Sequence, residues 1–152
     1  MTTVTVTSRM AAPVERVFDV FTDVEHSAEK VAGIKKIEML TPGKFQLGTR
    51  WRETRHVMGT DVNEEMVVTA YERNRAYTVT VDTYGTRVDA VFSFEPTVEG
   101  TKVTIEFNLD AQSFSARLLA PVGWAMTGKI RDALAHDLAD LKRAAEAPTA
   151  GA

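Results

Sequence analysis

The stretch AYTVTVDTYGTRVDAVF, Ala76–Phe92, decides how this chain folds. Tyr77, Val79 and Val81 alternate with Thr78, Thr80 and Asp82, the period of a strand with one buried face. The alternation resumes after Tyr84-Gly85 with Val88, Ala90 and Phe92. A two-residue turn there pairs Thr83 with Thr86, Val81 with Val88, Val79 with Ala90 and Tyr77 with Phe92. The last three pairs are apolar on one face, which supports that register and predicts an antiparallel hairpin.

Outward from this hairpin the same signals recur. Strands are expected near Ile34–Thr41, Thr49–Val57, Val62–Tyr71, Ala76–Thr83, Thr86–Pro96 and Thr101–Leu109. Pro42-Gly43, Gly59, Asn74, Tyr84-Gly85 and Glu99-Gly100 punctuate them. Consecutive strands with short connections pair as an antiparallel meander. Val4 and Val6 among Thr3, Thr5 and Thr7 predict one further strand at the start. Pro13 then stands at the expected first helical position, with Val14, Val17, Phe18 and Phe21 at helical spacing. Ser27–Val31 reads as a second short helical piece, and Ser113–Leu119 as a third.

From Pro121 to Glu146 the period is helical throughout. Met126, Thr127, Ile130, Leu134, Leu138 and Leu141 form the apolar stripe, and Lys129, Asp132, His136, Asp140 and Arg143 lie away from it. Such a helix spans roughly 39 Å at about 1.5 Å per residue, more than a small core needs unless a sheet wraps around it. The expected class is therefore α+β: a curved seven-stranded antiparallel sheet around a long C-terminal helix, with two short helices after the first strand. Residues 1–146 are read as one domain and 147–152 as a flexible tail.

Composition narrows the functional classes. The chain has 152 residues and no cysteine, which excludes a disulfide scaffold, a zinc-thiolate site and a cysteine nucleophile. Its formal net charge of -3 argues against a dedicated nucleic-acid binder. No apolar run reaches membrane-spanning length and no secretory signal opens the chain, so a cytoplasmic home is expected.

Strand alternation also sorts the faces. Arg50, Arg52, Thr54 and His56 form a polar face assigned to solvent. Trp51, Glu53, Arg55 and Val57 face inward with two ionisable groups among them. Pairing Val57 with Val62 across Met58–Asp61 sets Arg55 opposite Glu64, Glu53 opposite Met66 and Trp51 opposite Val68. Val103, Ile105, Phe107 and Leu109 also turn inward. The trio Glu53, Arg55 and Glu64 reads as an ion-pair network at the mouth of the sheet, as a contact for a ligand's polar group, or as catalytic machinery.

The sequence resembles the START-like, birch-pollen-allergen-like superfamily (SRPBCC), polyketide cyclase/dehydrase type. The matching stretches are Ala12-Pro13 with Val17-Phe18-Asp19-Val20-Phe21-Thr22-Asp23, Gly48-Thr49-Arg50-Trp51-Arg52-Glu53, and Phe94-Glu95-Pro96 followed by Glu99-Gly100-Thr101-Lys102-Val103-Thr104. Asp137-Leu138-Ala139-Asp140-Leu141-Lys142-Arg143 completes the set. The resemblance implies a helix-grip fold and an apolar ligand cavity between sheet and C-terminal helix. It brings no universal catalytic motif. Such proteins often carry Pro or Trp soon after the Asp that ends the first helix, whereas Asp23 here is followed by Val24-Glu25-His26.

The expected cavity lining is Trp51, Glu53, Arg55, Glu64, Met66, Val68, Tyr77, Val79, Val81, Phe92, Phe94, Phe107, Trp124, Met126 and Ile130. Trp124 and Met126 read either as core or as part of a cavity lid. Asp137, about 50° from the stripe's centre, is expected to partner a loop or strand donor. His26, His56 and His136 do not assemble a metal site, and no phosphate loop or nucleophile elbow occurs, so no cofactor is expected. Binding of a hydrophobic small molecule (lipid, polyketide or similar) is the leading expectation. A cyclase using the same cavity, with Glu53 as base and Arg55 or Tyr77 polarising a carbonyl, is the second. A protein–protein module is the third.

Overall fold

The computed structural model describes residues 1–57, 59–83, 85–118 and 127–148. Its strands are β1 (Thr2–Met10), β2 (Ile34–Met39), β3 (Arg50–Val57), β4 (Thr60–Glu72), β5 (Ala76–Thr83), β6 (Thr86–Thr97) and β7 (Gly100–Ala111). Its α-helices are α1 (Val14–Thr22), the single turn α2 (Ser27–Lys30), α3 (Phe114–Leu118) and α4 (Thr127–Glu146). A 3₁₀ turn, Val24–His26, joins α1 to α2. The seven strands form one antiparallel sheet in the order β1-β7-β6-β5-β4-β3-β2, so β1 closes against the last strand of the meander. This is the helix-grip arrangement of the α+β class.

Pro13 caps α1 rather than opening it; its φ of -66° suits the position, and Val14 is the first helical residue. Val17, Phe18, Val20 and Phe21 are buried against the sheet. The β5–β6 register is the expected one, with Tyr77 opposite Phe92, Val79 opposite Ala90 and Val81 opposite Val88. A register shift in β4 between Val68 and Ala70 lets both Val68 and Tyr71 turn toward the core. On the opposite face Thr69 and Thr80 share a hydroxyl–hydroxyl bond of 2.8 Å.

The start expected for the long helix at Pro121, together with Trp124 and Met126, lies outside the described residues. From Thr127 onward, Leu138 and Ala145 are buried and Leu134, Leu141 and Ala144 pack on the core. The C-terminal end of α4 is held by α1: Arg16 donates to the carbonyls of Ala144, Ala145 and Ala147, each at 3.3 Å. A guanidinium there satisfies carbonyls without helical partners and complements the helix dipole. The Ala11 amide donates to Glu146 Oε2 at 2.7 Å.

Gly100 is fixed by space. Its φ is +151°, and a Cβ there would collide with the Met10 carbonyl oxygen. Next to it Thr101, fully buried, donates its hydroxyl to the Ala12 carbonyl at 2.8 Å.

Candidate functional site

The inward polar residues of β3 meet α4. Glu53 is only 8% exposed. Its carboxylate accepts from Trp51 Nε1 at 3.3 Å and from Arg55 Nε at 2.7 Å. Arg55 Nη2 donates to Asp137 Oδ2 at 2.8 Å, tying strand to helix. Gly33 leaves room for this crossing, since a Cβ at Gly33 would lie 3.2 Å from Arg55 Nη1. Three residues further along α4, Asp140 accepts the Ala32 amide at 3.0 Å and pairs with Arg143. Two aspartates thus fasten the middle of α4 to β3 and to the chain just before β2.

The structure corrects three expectations here. β3 runs to Val57 and β4 begins at Thr60, so the connection is two residues long, with Gly59 at a φ of +81°. That moves the register by two: Glu53 opposes Glu64, Arg55 opposes Val62 and Trp51 opposes Met66. A two-residue slip preserves the faces, so Trp51 and Glu53 are buried and Arg55 and Glu64 half-buried as inward residues. Val57, at the strand's end, is exposed. Asp140, expected on the outer side of the helix, is 4% exposed because the Ala32 amide and Arg143 supply its partners.

Two carboxylates, Glu53 and Asp137, bind the Arg55 guanidinium, and a third, Glu64, is close enough to feel both Glu53 and Arg55. Burial pushes the Glu64 carboxyl above its usual range, and Glu53 opposite adds to the rise, with Arg55 and Thr83 offsetting part of it. Burial likewise raises Asp137, more than Arg55 lowers it. Burial works against the Arg55 charge, but Glu53 and Asp137 outweigh it and hold the guanidinium charged. Among the described residues Glu64 takes part in no ion pair.

Around this cluster the concave face divides. Toward α1 it is solidly packed: Trp51, Val68, Tyr77, Val79 and Phe94 belong to one buried cluster with Phe18 and Phe21, and Met66 and Phe92 pack against it. Tyr77 stacks on Phe92 at 4.6 Å, and Phe18 meets Phe94 edge-on at 5.2 Å. Burial alone drives the Tyr77 phenol far above its usual value, so it stays protonated. Toward the β5–β6 turn the inward residues are Val81 and Val88, both buried, with Leu109 opposite Val88 and Phe107 half-buried on β7; Ile130 of α4 is also half-buried.

Two concavities open on the outer surface. One of about 720 Å³ lies between α1 with its 3₁₀ turn and the β2–β3 connection, floored by Phe18, Phe45 and Tyr71. Phe45, from that connection, sits 4.9 Å from the Tyr77 ring. The other, about 490 Å³, is a shallow crevice between Ala11–Glu15 and Pro96–Gly100. Sequence periodicity does not reach Phe45, a loop residue. Nor does it reach Asp140, which falls on the polar side of the helical period although it is buried.

The histidines stay apart. His26 pairs with Asp23 at 2.8 Å, His56 with Asp61 at 2.9 Å, and His136 is exposed within 3.9 Å of Asp140. Among the described residues no three His, Asp or Glu side chains form a group able to hold a metal ion. Among the same residues no helix is long and apolar enough to cross a membrane.

Similarity to known proteins agrees with this architecture. A START superfamily protein from Mycobacterium smegmatis is 17% identical, with a TM-score of 0.71 over 90% of this chain and 93% of its own. Ara h 8.0201 is 15% identical, with a TM-score of 0.75 over 95% of this chain and 97% of its own. The di-domain ARO/CYC protein BexL from the BE-7585A biosynthetic pathway is 19% identical, with a TM-score of 0.76, matching 97% of this chain to 51% of BexL. No curated protein sequence matches. The profile of the polyketide cyclase/dehydrase and lipid transport family matches residues 1–146. With the sheet gripping α4 as described, the chain belongs to that family.

Proposed function

We propose that the protein binds a hydrophobic small molecule between the concave sheet and α4, with residues 1–146 acting as one binding domain. One observation carries this reading: Glu53, Arg55 and Glu64 turn to the same face of the sheet as Phe107 and Leu109, which are only half-buried, and α4 adds Asp137, bonded to Arg55, and a half-buried Ile130. A mostly apolar surface with a few fixed polar groups is the make-up of a small-molecule site. In this reading Val81, Val88, Phe107, Leu109 and Ile130 meet the apolar body, and Arg55 or Glu64 meets a polar group. The aromatic residues near α1, including Trp51, Tyr77 and Phe94, form its closed end. Family membership supports the reading, and lipids and polyketides are the candidate ligand classes.

The test is displacement of anilinonaphthalene sulfonate by medium-chain lipids, with Val88→Trp added to fill the proposed space. Displacement that Val88→Trp abolishes while the fold is retained supports the reading. Equal displacement in both proteins sinks it.

A cyclase or dehydrase acting in the same place is the second reading. What favours it is Glu64, half-buried with a raised affinity for protons and no ion-pair partner among the described residues. Both Glu53 oxygens already accept bonds, so Glu64 is the carboxyl best placed to move a proton. Loss of turnover in Glu64→Gln with binding unchanged would select this reading over simple carriage.

A further inference from the structure

The cleft between α1 and the β2–β3 connection lies outside the sheet–helix interior, and its chemistry differs. Its floor is aromatic: the rings of Phe45 and Tyr71 are 5.9 Å apart, and Phe18 and Tyr71 are also 5.9 Å apart. Its walls carry opposite charge. Asp19, Asp23 and Glu25 come from α1 and its 3₁₀ turn, Lys44 from the β2–β3 connection and Arg73 from the β4–β5 turn. Asp23 is already neutralised by His26 and by Lys30 at 3.0 Å. Asp19, Lys44 and Arg73 have no ion-pair partner among the described residues. The cleft's volume of about 720 Å³ falls inside the range of roughly 300–1,000 Å³ typical of small-molecule sites.

We infer that this cleft is a second ligand site, selective for a flat aromatic zwitterion with its charges at opposite ends. The ring lies on Phe45 and Tyr71, with Phe18 behind. The anionic end meets Lys44 and Arg73, and the cationic end meets Asp19 and Glu25. A dipolar molecule gains from both walls, whereas a singly charged one is attracted by one wall and repelled by the other. Weakly solvent-shielded rings add stacking and edge contacts to either end's attraction.

The test is a ¹H–¹⁵N chemical-shift titration of the intact protein with three probes: para-aminomethylbenzoate, para-toluate and para-methylbenzylamine. The expected result is saturable shifts at Gly43, Phe45, Thr49 and Tyr71, with the zwitterion at least tenfold tighter than either singly charged probe. Lys44→Glu with Arg73→Glu removes that preference and favours the amine. Asp19→Lys weakens the amine and spares the acid. Equal affinity for all three probes overturns the inference, as does the absence of saturation. Shifts confined to Val81, Val88 and Phe107 also overturn it, and would place the probes in the interior site proposed above. Conversely, failure of lipid displacement from the interior leaves this titration unaffected.

Discussion

Arg55 of β3 and Asp137 of α4 are 82 positions apart in the chain and 2.8 Å apart in space. Their bond, with that from Arg55 to Glu53, fixes where the long helix rests on the sheet. Removing one partner of a largely buried pair leaves the others charged and unmatched, which costs more than the pair itself contributes. Arg55→Met is expected to lower unfolding stability by about 3 kcal/mol, the lower end of the usual range because the guanidinium keeps some water. Urea denaturation reads this. Adding Asp137→Asn to Arg55→Met should cost little more, a non-additivity that marks the two as one unit.

Glu64 yields a pH prediction with a definite sign. Its folded-state pKa is raised above its unfolded value, first by burial and then by Glu53. Its contribution to stability is therefore fully present below the ordinary glutamate range and lost as pH rises through the raised value. Asp137, also raised, acts in the same direction. A carboxyl-detected NMR titration should find Glu64 above the usual glutamate range. Glu53→Gln should bring it partway down, and Arg55→Met should push it further up.

Asp23 behaves oppositely. Burial pushes its carboxyl up, but His26 and Lys30 outweigh that and hold it below the usual aspartate range. The stability it supplies is present above that range and lost as pH falls through it. His26→Ala should raise the Asp23 titration point, which the same NMR experiment records.

Gly100→Ala should be among the most damaging single-methyl additions. The new Cβ meets backbone, the Met10 carbonyl, and the φ of +151° is one side chains rarely adopt. A loss of about 1–3 kcal/mol is expected from thermal or urea unfolding. Gly43→Ala, with a φ of +89° but open space around it, should cost less.

How far the sequence carries can be judged from particular residues. The Tyr77–Phe92 register was legible because a two-residue turn and strict alternation leave one solution. The β3–β4 register was not, because Met58–Asp61 reads equally well as a longer loop. Strand faces survive a slip of two, so Glu53, Arg55 and Glu64 were found as inward residues while their partners were misassigned. Asp137 was recognisable as needing a donor, yet nothing local names Arg55, which arrives through the sheet's curvature. Phe45 was invisible for another reason: a loop residue obeys no period, and only its seat among Tyr71, Tyr77 and Trp51 reveals it.

The most direct measurement on the central proposal is a set of isotope-filtered nuclear Overhauser contacts between dodecanol and methyl-labelled protein. Interior binding predicts contacts from the alkyl chain to the methyls of Val81, Val88, Leu109 and Ile130, with none to Val98 or Leu47 on the exposed surface. Contacts confined to those exposed methyls, or the absence of any at saturating dodecanol, would contradict it.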